Sequence, residues 1–160
     1  MENKVYGVVE GLIQKLQSTQ EENVEKTARL FADALKNGGM LQAVGAGHSQ
    51  AGASELCFRA GGFIPTKQIK EPASGAYEGI EGVGTSCMKK VDVRPNDVVV
   101  LISNSGRNPL PVEIALAAHE KGAKVVAITS LEASKNLTPK HSCGKNLWQL
   151  ADVVIDNCVM

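Results

Sequence analysis

Three short segments hold residues whose types and spacing can do chemistry. Gly45-Ala46-Gly47-His48-Ser49 follows the apolar run Met40 to Val44, Ser103-Asn104-Ser105-Gly106-Arg107-Asn108 follows Val98 to Ile102, and Thr129-Ser130 follows Ala123 to Ile128. Glycine lets a ligand come close to the main chain, and serine or threonine hydroxyls donate to an anionic oxygen without adding charge. Where a strand ends and a helix opens, unpaired N–H groups also point outward with the positive end of the helix dipole behind them. That combination suits a phosphoryl group. Taken alone, Ser103-Asn104-Ser105-Gly106 is equally a good helix cap; the coincidence of such segments at successive strand ends favours a ligand site.

The elements that must position these segments follow from hydrophobic period. Val5, Val9, Leu12, Ile13 and Leu16 fall on one helical face, and Ser18 with Glu21, or Thr19 with Glu22, matches a capping box that would open a second helix carrying Val24, Ala28, Phe31 and Leu35. Asn37-Gly38-Gly39 stops it. An N-terminal helical pair over residues 1–37 is therefore expected, as part of the same domain as the sandwich over 38–160. In that domain the strands Met40 to Val44, Ile64 to Ile69, Val98 to Ile102, Ala123 to Ile128 and Val153 to Ile155 alternate with helical stretches, and Pro109 and Pro111 suit a first helical turn. A polar loop with Pro139, His141 and Gly144 leads to a short helix near Leu147 to Leu150. The long segment Glu71 to Gly84 is rich in glycine and reads as a functional loop.

Continuous apolar strands separated by helices mean a parallel sheet covered on both faces. The expected fold class is α/β, a three-layer α/β/α sandwich with a five-stranded parallel sheet in the flavodoxin-like order 2-1-3-4-5. In that order the reversal falls between the first and third strands, where open sheets bind ligands beyond the strand ends.

The 160 residues carry 17 basic and 17 acidic side chains, with 43% hydrophobic and 21% charged residues. This composition fits one ordinary globular domain rather than a disordered chain. Balanced charge lacks the basic excess of a nucleic-acid binder. No apolar run approaches the ~20 residues of a membrane span, and no export signal is evident, so a cytoplasmic protein is expected. Cys57, Cys87, Cys143 and Cys158 are scattered without CxxC pairing, against a zinc site or a disulfide frame. The glycine turn at Gly45 places Gln50 where a dinucleotide fingerprint has its third glycine, which leaves nucleotide binding a lesser alternative and no cofactor expected.

Gly47-His48-Ser49, the run Asp97 to Gly106 with its Ser-Asn-Ser-Gly loop, Val125 to Ser130, and Ala151 to Ile155 together resemble the SIS (sugar isomerase) domain, over about residues 28 to 156. The Gly-His-Ser and Ser-Asn-Ser-Gly-Arg-Asn-Pro stretches are similar to those of phosphoheptose-isomerase-like or uncharacterised bacterial members. The resemblance implies a phosphosugar pocket lined by Gly47, His48, Ser49, Ser103, Asn104, Ser105, Gly106, Arg107, Asn108, Thr129 and Ser130. It departs at Asn108, where the family often has Ser or Thr, and at Arg59, where several enzymes place a glutamate. The chain ends just after its last strand, as a fragment or minimal form would. SIS domains commonly pair through N-terminal helices, so a homodimer is implied.

Sugar isomerisation needs a proton acceptor and a donor within reach of the ligand. Glu55, Glu71, Glu78, Glu81, His48 and His141 are available, and Glu55 and His48 are the catalytic candidates. Glu55 also fits a solvated pair with Arg59 at i+4. Glu78 and Glu81 read as surface charges on the glycine-rich loop. The expected function is phosphosugar binding by an isomerase-like protein; the alternatives are a non-catalytic phosphosugar-binding module and a nucleotide-cofactor domain.

Overall fold

Val98-Val99-Val100-Leu101-Ile102 is the middle of the molecule because it is apolar on both sides. In a strand successive side chains face opposite ways. Val98 and Val100 accordingly pack with Leu41, Ala43, Val126 and Ala53. Val99 and Leu101 pack instead with Val125, Met88, Leu110 and Ile114. The computed structural model describes residues 4–159. Within it β1 (Leu41–Gly45), β2 (Thr66–Gln68), β3 (Val98–Ile102), β4 (Lys124–Thr129) and β5 (Val153–Asp156) form one sheet in the order β2-β1-β3-β4-β5. Every pairing is parallel. Helix α1 (Lys4–Lys36) and α2 (Gln50–Phe58) supply one layer; α3 (Val83–Met88) and α4 (Pro109–Glu120) supply the other. The expected sandwich and strand order are present.

The N-terminal helical pair is not. Residues 4 to 36 form a single 33-residue helix, about 50 Å long at 1.5 Å per residue. The Ser18 and Thr19 hydroxyls donate back to the Lys15 carbonyl, at 3.1 and 2.7 Å, instead of capping a new helix. No glycine or proline interrupts residues 12–36, and ion pairs Glu22–Lys26 at 2.7 Å and Glu25–Arg29 at 2.6 Å stitch the exposed face. The buried face also differs from the expected stripe. Gln20, Thr27 and Ala34 are buried while Val24 is exposed. A long polar side chain can face the sheet here because Gln20 Oε1 accepts the Asp156 N–H at 3.0 Å.

Two further elements deviate locally. Strand β2 covers only Thr66 to Gln68, since Pro65 has no N–H to donate and Ile64 is fully exposed. The short helix α5 (Leu131–Lys135) occupies part of the expected polar loop. A 3-10 turn at Leu147–Gln149 stands where the short helix was expected. No helix among the described residues is long and apolar enough to cross a membrane.

At the amino ends of β1 and β3 the buried carboxylate of Asp97 ties the strands together. It accepts the Met40 N–H at 2.8 Å, the Gln42 amide at 2.8 Å and the Arg94 N–H at 3.0 Å. Asp97→Ala orphans one buried and two part-buried donors, at about 1–3 kcal/mol each where water cannot replace the carboxylate. The variant is expected to lose roughly 3 kcal/mol or more, read as a lower urea midpoint at unchanged slope.

Candidate functional site

The carboxyl ends of β1 and β3 lie side by side. Leu41 pairs with Val98 and the register runs without slip to Gly45 beside Ile102, so the segments that follow leave the sheet at one height. Strand β4 continues the alignment, with Ile128 beside Ile102. A narrow crevice results at the switch point, its walls including Ser49, Ser103 and Glu78 above an apolar floor of Leu101, Leu110 and Ile114. Ser49 and Ser103, from the two strand ends, thus face one space. Among the described residues the backbone N–H groups of Gly47, His48, Asn104 and Ser105 meet no acceptor. Two hydroxyls, one from each strand end, therefore face one space, while these four N–H groups belong to residues beside its lining and Gly75 packs against the Gly47 nitrogen.

The loop after β3 owes its shape to Gly106. Its φ of +61° is left-handed, and a Cβ there would lie 2.9 Å from Ser134 Oγ and 3.2 Å from Thr129 Oγ1. The Gly106 N–H donates to Ser103 Oγ at 3.2 Å, and its carbonyl accepts the Leu147 N–H at 2.7 Å. Ser103 Oγ keeps its own hydrogen free. Behind the loop, Thr129 Oγ1 and the Ser130 N–H both donate to the Asn104 carbonyl at 3.0 Å. Ser130 Oγ donates to the Val159 carbonyl. Thr129 and Ser130 are fully buried. They brace the loop from below rather than face the crevice.

The start of α4 is not the open helix terminus that its position promised. Pro109 and Pro111 have no N–H, and the Leu110 N–H donates to the Glu78 carbonyl at 3.1 Å. The free main-chain donors of this corner belong to the loop, at Asn104 and Ser105, instead of the helix. Asn108, the residue before α4, turns its Nδ2 to Glu78 Oε1 at 2.7 Å. Arg107 is half-buried and its carbonyl accepts the Lys140 N–H at 3.1 Å. Asn104 Oδ1 accepts the Asn157 amide at 2.9 Å.

Glu55 lies outside this arrangement. It is exposed on α2, 4.0 Å from Arg59, an i,i+4 surface pair. His48 is exposed at the rim of the first turn. The carboxylates that face the interior come from elements with weaker sequence signals. Glu71 closes the start of the glycine-rich loop by accepting the Ala73 and Gly75 N–H groups at 2.8 and 2.6 Å. Glu113 is buried on α4 and accepts the Thr85 N–H at 3.0 Å and the Gly82 N–H. His141 brings its Nε2 to 3.5 Å from Glu113 and 4.0 Å from Glu81. Its Nδ1 accepts the Cys143 N–H at 3.1 Å, which leaves Nε2 as the protonated nitrogen. A single acid within Pro-Leu-Pro-Val-Glu-Ile-Ala-Leu-Ala-Ala was the available hint of a buried carboxylate.

Residues 6–130 match the family model of the SIS domain. A UPF0309 protein of Listeria monocytogenes is 47% identical over 146 residues, which cover 91% of this chain and 62% of that protein. A UPF0309 protein of Geobacillus kaustophilus is 38% identical over 169 aligned residues, 99% of this chain and 67% of that one. The chain thus spans 62% of the length of the Listeria relative. Among solved structures, a phosphoheptose isomerase from Neisseria gonorrhoeae superposes with a TM-score of 0.73 at 23% identity, over 97% of this chain and 85% of its own. The sugar isomerase domain of the RpiR transcription factor from Sphaerobacter thermophilus gives 0.55 at 22%, over 95% and 72%. At these identities the two structures speak to the fold alone.

The glycine-rich loop is tethered to the segment before the 3-10 turn by Glu81, which accepts the Ser142 N–H at 2.6 Å and its hydroxyl at 2.8 Å. These donors hold the Glu81 carboxyl below its ordinary range. A carboxyl depressed in the folded state stabilises above its unfolded pKa and loses that contribution as pH falls through the folded value. The Ser142 amide is therefore expected to keep its hydrogen-exchange protection on mild acidification and lose it only below the ordinary carboxylate range, and Glu81→Gln to remove that pH dependence. Protection that stays constant below that range as well would contradict the tether.

Proposed function

Because the chain belongs to the SIS-domain family, we propose that its switch-point crevice binds a phosphorylated sugar, as an isomerase-like protein would. The observation that carries this reading is the shared crevice of Ser49 and Ser103, flanked by loops in which the His48, Asn104 and Ser105 N–H groups meet no acceptor among the described residues. Neutral donors on a fixed main chain match a phosphate, whose oxygens accept from several directions. The names of the Neisseria isomerase and of the Sphaerobacter sugar isomerase domain support the same ligand class. In this reading Gly47, Ser49, Ser103, Asn104, Ser105 and Gly106 hold or shape the phosphate corner, and His48 donates from the rim. Arg107 and Asn108 close the far side, while Thr129 and Ser130 fix the loop from beneath.

A thermal-shift series tests this with fructose 6-phosphate, sedoheptulose 7-phosphate and glucosamine 6-phosphate beside NAD and NADP. A ligand at a hundred times its Kd stabilises by about 2.7 kcal/mol, so at least one sugar phosphate is expected to raise Tm by several degrees while the nicotinamides do not. Ser105→Leu should weaken that sugar phosphate at least tenfold; unchanged affinity overturns the assignment.

We also infer a homodimer through the amino-terminal half of α1. Val5, Val9 and Ile13 are 65%, 46% and 57% exposed along one side of a helix whose other half is docked on the sheet. An apolar row of this length is unfavourable in water unless covered. Light scattering should report the mass of two chains, and the double variant Val9→Glu, Ile13→Glu should report one chain with an intact fold.

A further inference from the structure

Glu78 stands in the wall of the crevice with Ser49 and Ser103, and it is the carboxylate among the residues that line it. Its position is fixed through main chain and side chain alike. The Glu78 N–H donates to the Gly75 carbonyl at 3.2 Å, and its own carbonyl accepts the Leu110 N–H at 3.1 Å. Gly75 in turn sits against the first turn: with φ at +95°, a Cβ on it would come within 2.5 Å of the Gly47 nitrogen. The glycine-rich loop is thus seated on both strand-end corners at once, through Gly75 on one and Glu78 on the other.

The side chain is oriented as well. Asn108 Nδ2 donates to Glu78 Oε1 at 2.7 Å, while Asn108 Oδ1 is buried without a donor among the described residues. Reversing the amide would set two acceptors against each other, so Glu78 dictates the orientation of Asn108 and is held by it. Glu78 Oε2 has no hydrogen-bond partner among the described residues.

We propose that Glu78 is the carboxylate that reads the sugar, its Oε2 accepting ligand hydroxyl hydrogens while Asn108 holds Oε1. This rests on the phosphosugar reading of the crevice and assigns its second half. A carboxylate repels a phosphate, so the phosphate faces the N–H groups at Asn104 and Ser105 and the uncharged, hydroxyl-bearing carbons face Glu78. Pairing an acceptor-only group with hydroxyls also discriminates against free phosphate and against ligands without those hydroxyls. Glu55, exposed beside Arg59, has no such placement.

The test compares wild type, Glu78→Gln and Glu78→Asp by calorimetric titration with inorganic phosphate and with fructose 6-phosphate, sedoheptulose 7-phosphate and glucosamine 6-phosphate. Glu78→Gln can still meet Asn108 and is expected to keep its melting temperature. For the sugar phosphate that wild type binds best, Glu78→Gln is expected to weaken affinity at least tenfold and Glu78→Asp by less. Inorganic phosphate affinity should stay within about twofold or tighten. Sugar-phosphate affinity unchanged in both variants overturns the role of Glu78 and leaves the phosphosugar reading standing. Equal weakening of phosphate and sugar phosphate also overturns it, since the residue would then act on the phosphate corner. A wild-type protein that binds none of these probes overturns the phosphosugar reading and this assignment with it.

Discussion

The crevice depends on one left-handed residue. Gly106 turns the chain after β3 through a space too small for any Cβ, closed by Ser134, Thr129 and the Leu147 side chain. Its N–H and carbonyl are both engaged, toward Ser103 and Leu147. Because the turn is clamped from four sides, the N–H groups of Asn104 and Ser105 are left over as the free donors of the loop. A donor held rigidly before a ligand arrives loses little freedom on binding, which is the advantage the proposed phosphate contact would draw on. The prolines at the start of α4 serve the same division. They remove donors that the helix would otherwise present, and the remaining Leu110 N–H is used to seat the glycine-rich loop.

The two ends of the central strands are accordingly unlike. At the amino ends of β1 and β3, Asp97 collects main-chain and side-chain donors into a closed knot. At the carboxyl ends several main-chain donors, those of His48, Asn104 and Ser105 among them, meet no acceptor among the described residues. A buried carboxylate surrounded by donors holds strands in register strongly because an orphaned partner is expensive in the interior. Register at the closed end fixes the relative height of Gly45 and Ile102 at the open end, and with it the distance over which two loops can share a guest.

Strands and layers were legible in the sequence because they rest on period and on turn residues, whereas the strand order was expected as the common one for such sheets. Val98 to Ile102 could belong only to a strand buried on both faces, and Pro109-Leu110-Pro111 could only open a helix. The loops of the crevice were legible for the same reason, as small polar residues at strand ends. What escaped is tertiary in origin. The capping pattern at Ser18 and Thr19 is local and satisfies itself within a continuous helix, so local pattern alone misplaced a break there. The face of α1 that meets the sheet is set by Gln20 reaching the Asp156 N–H, a partner 136 positions away. Thr129 and Ser130 had the right chemistry for a ligand and spend it on Asn104 and Val159 instead. Glu78 looked like a solvated charge among glycines, and only the seating of its loop on Gly47 and Leu110 turns it inward.

The bracing of Asn104 comes from residues late in the chain. Asn157 holds its side chain, and Leu147 holds Gly106. In the linear sequence the first three strands and α4 all precede these partners. The loop after β3 therefore takes its shape from the stretch from Leu147 to Asn157, which the pairing of β1, β2 and β3 does not use. Changes in that distal stretch can reshape the loop after β3 while leaving the residues that line the crevice untouched.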